Sequence, residues 1–158
     1  MKNNTPKKLL FFEIEKIQKT LSVIKKNYLK NFDKLCFECL KTIKNNNKII
    51  FYGNGGSASD AQHLAAELVV RYKKNRRAIS AISLATDTSI ITATGNDFDF
   101  KFIFSRQIEA VAKKGDLAVA ITTSGNSQNL IEAAKTLNKM KIKSFCFAGN
   151  KGGKLKNF

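Results

Sequence analysis

Cysteine is scarce in this chain: Cys36, Cys39 and Cys146 are the only three. They build no disulfide framework, so a reducing cytosol is the expected setting. Cys36 and Cys39 do form a C-x-x-C, but within the helix-periodic run NFDKLCFECLKTIK, without the strand–turn context of redox motifs. They read as plain buried or half-buried cysteines. Long apolar runs are missing too. No segment reaches the length needed to span a bilayer, and the opening stretch MKNNTPKKLLFFEIEK carries acids inside its apolar part. Neither a signal peptide nor a membrane anchor is expected. Proline occurs once, and no repeat or low-complexity linker divides the chain. A single domain over 1–158 is therefore expected, long enough to bury a real core.

Acidic residues are few as well, 12 against 28 Lys and Arg, for a formal net charge of +16. Such a balance raises nucleic acid as a partner. The charge is spread, however, with 12 basic and 4 acidic residues in 1–50 and 16 and 8 in 51–158. Arg-rich stripes and the aromatic–basic interleaving that stacks bases are absent. The pattern points away from nucleic acid and toward solvated helix faces whose field favours small anionic substrates.

Residues 1–46 show helical periodicity in two pieces. Leu9, Leu10, Ile14, Ile17, Leu21 and Ile24 mark one face; Phe32, Leu35, Cys36, Cys39, Leu40 and Ile43 mark a second. With KKNYLKNF between them, the expectation is a helical hairpin, stopped by NNNK at 45–48. Over 47–158 the pattern changes. KIIFY (48–52), AISAISLA (78–85), DLAVAIT (116–122) and IKSFCFAG (142–149) read as strands, separated by helical stretches at 57–72, 87–94, 101–113 and 126–139. Alternation of this kind predicts βαβ units: an α/β fold, a three-layer αβα sandwich on a parallel, Rossmann-like sheet. The continuous apolar strands agree, because parallel strands are buried on both faces. Ligands of such sheets sit at the carboxyl ends of the strands.

Two turns occupy that position. In AITTSGNSQN a strand ends at Thr122 and a helix starts near Ser127, where unpaired N–H groups and the helix dipole favour an anion. Thr122, Thr123, Ser124 and Ser127 add hydroxyls, and Gly125 allows close approach, a combination suited to phosphate. The plainer alternative is an N-cap by Asn126 or Ser127. The second turn, FYGNGGSASDAQHLAAEL, fits G-x-G-x-x-G/A through Gly53, Gly55 and Ala58. No acid follows at dinucleotide-site spacing, and no P-loop lysine follows the glycines. Asn54, Gly55, Gly56 and Ser57 therefore look more like a loop holding sugar hydroxyls.

Asp60, His63 and Glu67 then fall on one helix face just behind this turn. His63 and Glu67, four residues apart, can share a metal or a proton. The alternative is a packing contact for His63 and a solvent ion pair of Glu67 with Arg71. A third loop, ATGNDFDF (93–100), places Asn96 and Asp97 between two helices, with Gly95 freeing the turn.

GNGGSASDAQHLAAEL, TGNDFDFKFIFSRQIEA and ITTSGNS, in this order and spacing, closely resemble the sugar isomerase (SIS) domain family and, within it, the phosphoheptose isomerases. The resemblance covers nearly the whole chain. It implies that Thr122, Thr123, Ser124 and Ser127 bind phosphate, that Asn54, Gly55, Gly56, Asn96 and Asp97 contact the sugar, and that His63 and Glu67 are ligands of a Zn2+ ion. Glu67 also matches the catalytic base. The implied reaction converts sedoheptulose 7-phosphate to D-glycero-D-manno-heptose 7-phosphate through an enediol, for heptose (lipopolysaccharide core and ADP-heptose) biosynthesis in the cytoplasm. Homotetramers whose sites draw on neighbouring subunits are implied as well. Family members continue into a fifth strand and a final helix that carry a Gln and a His as further zinc ligands. This chain stops at Phe158 with His63 as its one histidine, so its α/β core is expected to be C-terminally incomplete. The competing readings are a non-catalytic SIS protein that binds a phosphosugar or associates with a replication initiator, and another SIS isomerase or lyase.

Overall fold

The periodic opening segment is helical in the computed structural model, which describes residues 5–158. Pro6 starts α1 (Pro6–Asn27) at the position where its missing N–H costs nothing. α2 (Leu29–Lys44) follows after Tyr28 alone. The expected hairpin turn is not formed. Tyr28 N–H donates to Ile24 O at 2.9 Å and Phe32 N–H to Tyr28 O at 3.0 Å, so the helical ladder passes through the joint as a kink. Lys, Asn and Tyr in KKNYLKNF all tolerate helix, and no glycine or proline interrupts them. α1 has no buried residue; Leu10, Ile17 and Leu21 are each about 60% exposed (62, 59 and 59%). Asn46 ends α2 with a left-handed backbone (φ 54°), as NNNK suggested. Two compact units result, Met1–Phe37 and Glu38–Phe158.

In the second unit β1 (Ile49–Gly53), β2 (Ala81–Ser83), β3 (Leu117–Thr122) and β4 (Lys143–Ala148) form one parallel sheet in the order β2-β1-β3-β4. Every residue of β1 is buried, and all of β3 except Ile121. Strand alternation sends Ile50, Tyr52, Ala118 and Ala120 to one face, where they meet α5 (Ser105–Val111) and α6 (Gln128–Lys139) through Ile108, Leu130, Ala134 and Leu137. α3 (Gly56–Val69) packs on β1, β2 and β3 through Ala61 and Ala65. Right-handed crossovers put the β1–β2 and β3–β4 helices on opposite faces, because the first steps left along the sheet and the second right.

β4 departs from the expectation of strands buried on both faces. It is the outer strand, and Cys146, Phe147 and Ala148 are exposed. Cys36 is exposed rather than buried, and Cys39 is half-buried. At the amino ends of the strands the buried Asp116 accepts from Lys48 N–H (3.0 Å), Lys113 N–H (2.8 Å) and the Lys48 ammonium, tying β1 to β3. No helix among the described residues is long and apolar enough to cross a membrane.

Candidate active site

β1 and β3 are neighbours, and the helices that follow them leave on opposite sides of the sheet. Their carboxyl ends therefore flank a topological switch point, the place where sheets of this kind bind ligands in a crevice between two turns. Gly53 sits opposite Ile121 in the ladder, and a side chain there would strike the Ile121 carbonyl oxygen at 2.7 Å. The turns after these strands are the two that the sequence singled out.

The second turn is built by its own hydroxyls. The buried Thr122 hydroxyl accepts from Gly125 N–H at 3.3 Å, and Ser124 Oγ accepts from Asn126 N–H at 3.2 Å. Both keep their O–H to donate. Thr123 is exposed and Ser127 half-buried. Ser127 occupies the N-cap position of α6 without a side-chain cap bond, and Asn126 Oδ1 instead accepts from Lys154 N–H at 3.0 Å. The N-cap alternative thus fails for both residues. At α4 (Thr88–Asp97), by contrast, Asp87 caps fully, accepting from Ile90 N–H at 2.9 Å. The start of α6 is left open to an anion.

The segment after β4 braces this turn from behind, which the sequence reading missed. Residues 150–157 form short 3-10 turns interrupted at Lys151–Gly153, where three successive residues have positive φ. Leu155 N–H donates to Gly125 O at 3.0 Å and Gly149 N–H to Thr122 O at 3.1 Å. Gly125, with φ 67°, lies so close to the Gly152 carbonyl that no Cβ fits between them. The signal was present in the run GNKGGK, which no helix or strand pattern explains.

The first turn enters α3 through Gly55, whose φ of 56° suits glycine. Gly56 and Ser57 lie in the first turn of α3, which has no side-chain cap. Asn54 is not free to face a ligand with its whole amide: it exchanges two hydrogen bonds, at 2.9 and 2.8 Å, with the buried Asn129 of α6.

His63 Nε2 lies 3.2 Å from Glu67 Oε1, with the imidazole 73% and the carboxylate 34% exposed. Glu67 Oε2 is buried and has no hydrogen-bond partner, so the carboxylate does not pair with Arg71. Such an orphaned oxygen awaits a proton, a metal or a substrate group. Arg76, which sequence reasoning passed over, donates to the backbone oxygens of Glu67 (2.7 Å) and Leu68 (2.8 Å) and closes the end of α3. The pair does not sit at the crevice, however. α3 runs back from the carboxyl edge, and ten residues of helix from Ser57 to Glu67 span roughly 15 Å. Among the described residues no hydrogen bond links the His63 or Glu67 side chains to either turn.

Asn96 and Asp97 lie in the last turn of α4, not in a loop between helices, and Gly95 is helical. The helix continues because Phe98 N–H and Asp99 N–H both return to Thr94 O. Both residues are exposed, and Asn96 Nδ2 donates to Asp97 Oδ1 at 2.8 Å. Tyr52, directly before the first turn, is fully buried, and burial pushes its hydroxyl above the ordinary tyrosine range, with Cys146 adding to the shift. It stays neutral and serves packing.

His63 Nε2 and Glu67 Oε2 are donors of the kind zinc takes. No cluster of three or more His, Cys, Asp or Glu that could hold a metal ion occurs among the described residues, so these two side chains offer only part of a coordination set.

Comparisons with known proteins agree with this geometry. The SIS domain model matches residues 14–147. A phosphoheptose isomerase of Paramagnetospirillum magneticum is 48% identical over 143 residues, covering 90% of this chain and 74% of that protein. One from Campylobacter concisus is 50% identical over 141 residues, 89% of this chain and 74% of its relative. The solved phosphoheptose isomerase of Neisseria gonorrhoeae superposes with a TM-score of 0.91 at 34% identity, over 98% of this chain and 80% of that one. The parallel sheet, the two turns and these matches together mean that the chain belongs to the SIS domain family, in its phosphoheptose isomerase branch.

Proposed function

We propose that the protein isomerises sedoheptulose 7-phosphate to D-glycero-D-manno-heptose 7-phosphate, supplying heptose for lipopolysaccharide core and ADP-heptose synthesis in the cytoplasm. The observation that carries this reading is Glu67: a half-buried carboxylate with one oxygen on His63 and the other buried without a partner. A base that must take up a proton needs such an uncommitted lone pair. Glu67 removes the proton from C1 of the ketose, leaving an enediol, and returns it to C2. The O1 hydroxyl proton passes to O2, so the carbonyl moves from C2 to C1 and no atom is gained or lost. His63 orients the carboxylate through Oε1. The open start of α6, with Thr122, Thr123, Ser124 and Ser127, takes the phosphate. Asn54, Gly55, Gly56 and Ser57 hold sugar hydroxyls; Asn96 and Asp97 contribute further contacts. His63 and Glu67 would be the residues to hold Zn2+, which would supply electrostatic stabilisation of developing negative charge.

The roughly 15 Å along α3 between the first turn and Glu67 supports a site completed by a neighbouring subunit. The apolar residues exposed along α1 supply a surface for that homotetramer. The uncommitted Glu67 oxygen also favours this reading over a purely phosphosugar-binding or initiator-associated role, which needs no base.

Glu67→Gln is the test. A positioned base contributes about 10²–10⁴-fold, so kcat should fall by at least about a hundredfold while the substrate still binds. Turnover at the wild-type rate in this variant would refute the assignment.

A further inference from the structure

The crevice between the two turns is spanned by one side-chain bridge. Asn54 Nδ2 donates to Asn129 Oδ1 at 2.9 Å, and Asn129 Nδ2 donates back to Asn54 Oδ1 at 2.8 Å. The two residues are 75 apart in sequence, one closing β1 and the other in the first turn of α6. Asn129 is 3% exposed. A reciprocal carboxamide pair fixes both amide planes and leaves each residue one N–H and one lone pair. α3 and α6 leave for opposite faces of the sheet, so sliding their starts apart breaks two partly buried hydrogen bonds at once.

We infer that Asn129 is a positioning residue that sets the spacing between the sugar turn and the phosphate turn. Resting on the phosphosugar reading proposed above, it acts through Asn54 and not on the substrate. A ligand that spans both turns depends on that spacing; a bare phosphate, held by one turn, does not.

The experiment measures KM for sedoheptulose 7-phosphate and competitive inhibition by inorganic phosphate in Asn54→Ala, Asn129→Ala and the double variant. Asn129→Ala should raise KM about tenfold, the usual scale for losing a hydrogen-bonded partner. Its phosphate inhibition constant should stay within about twofold. The double variant should be no worse than the poorer single one, as for two residues acting as a unit. Asn129→Asp keeps the shape and one hydrogen bond from Asn54, so an intermediate KM is expected even if the alanine variant folds poorly. KM and phosphate inhibition weakening together, or single effects that multiply in the double variant, would overturn the inference. Absent turnover in the unmodified protein would instead strike the functional reading. Coupling between Asn54 and Asn129 then remains measurable in urea unfolding of the same variants, where strict additivity counts against the bridge.

Discussion

Gly125→Ala should damage the phosphate turn far more than a glycine substitution usually does. The backbone at 125 has φ 67°, and an alanine held there costs about 1–2 kcal/mol. The added methyl also lands on the Gly152 carbonyl, so the segment behind the turn must move; overpacking of that kind costs roughly 1–3 kcal/mol. Moving it endangers the Leu155 N–H bond to Gly125 O, worth about 1 kcal/mol. The total is about 4 kcal/mol, a Tm loss of roughly 8–16 °C for a chain of this size. Gly55→Ala is the internal control. Its backbone is strained for any other residue as well, with φ 56° and ψ −123°, but nothing lies within 4 Å of a new methyl. It should lose the backbone strain alone, about 1–3 kcal/mol, and so less than Gly125→Ala. Thermal unfolding followed by circular dichroism compares the two. Equal losses in both variants would show that residues 149–155 do not brace the turn, and the packing argument would be wrong.

Three further outcomes follow from the geometry. Ser124→Ala together with Ser127→Ala removes two hydroxyls at the open start of α6 and should raise KM for the sugar phosphate by about tenfold or more, measured by steady-state kinetics; an unchanged KM dismisses the phosphate assignment. Ile17→Glu with Leu21→Glu places charge on the exposed apolar face of α1 and should lower the mass seen by light scattering, whereas an unchanged mass would free α1 from the assembly role proposed for it. Asp116→Ala leaves Lys48 and the Lys113 N–H without their shared acceptor at the amino ends of β1 and β3. Urea unfolding should register a loss of about 3 kcal/mol, and a loss below about 1 kcal/mol would contradict the buried-pair argument.

The alternation of apolar runs with helical stretches was enough to locate all four strands to within a few residues, because short β-rich apolar runs bounded by turn residues and helical stretches read as strands. β4 departs from burial on both faces for a reason no local pattern contains: whether a strand is central or outermost depends on pairing. The joint at Tyr28 differs from the expected turn because lysine and asparagine look like a loop in sequence, yet a helix tolerates them when no glycine or proline intervenes. Asn96 and Asp97 were misplaced by the turn preference of Gly-Asn-Asp, which the backbone bonds returning to Thr94 override.

At the site, residue types alone marked the candidates: hydroxyls and a glycine between strand and helix are the chemistry of an anion turn, and a histidine four residues before a glutamate puts the two side chains within reach of each other. Local chemistry suffices for these because the partners are neighbours in the chain. Only the tertiary structure decided that Asn54 is held by Asn129 and that residues 149–155 brace Gly125. Each of these depends on which strands lie side by side and which way each helix leaves the sheet, and such long-range distances are written nowhere in the spacing of residues along the chain.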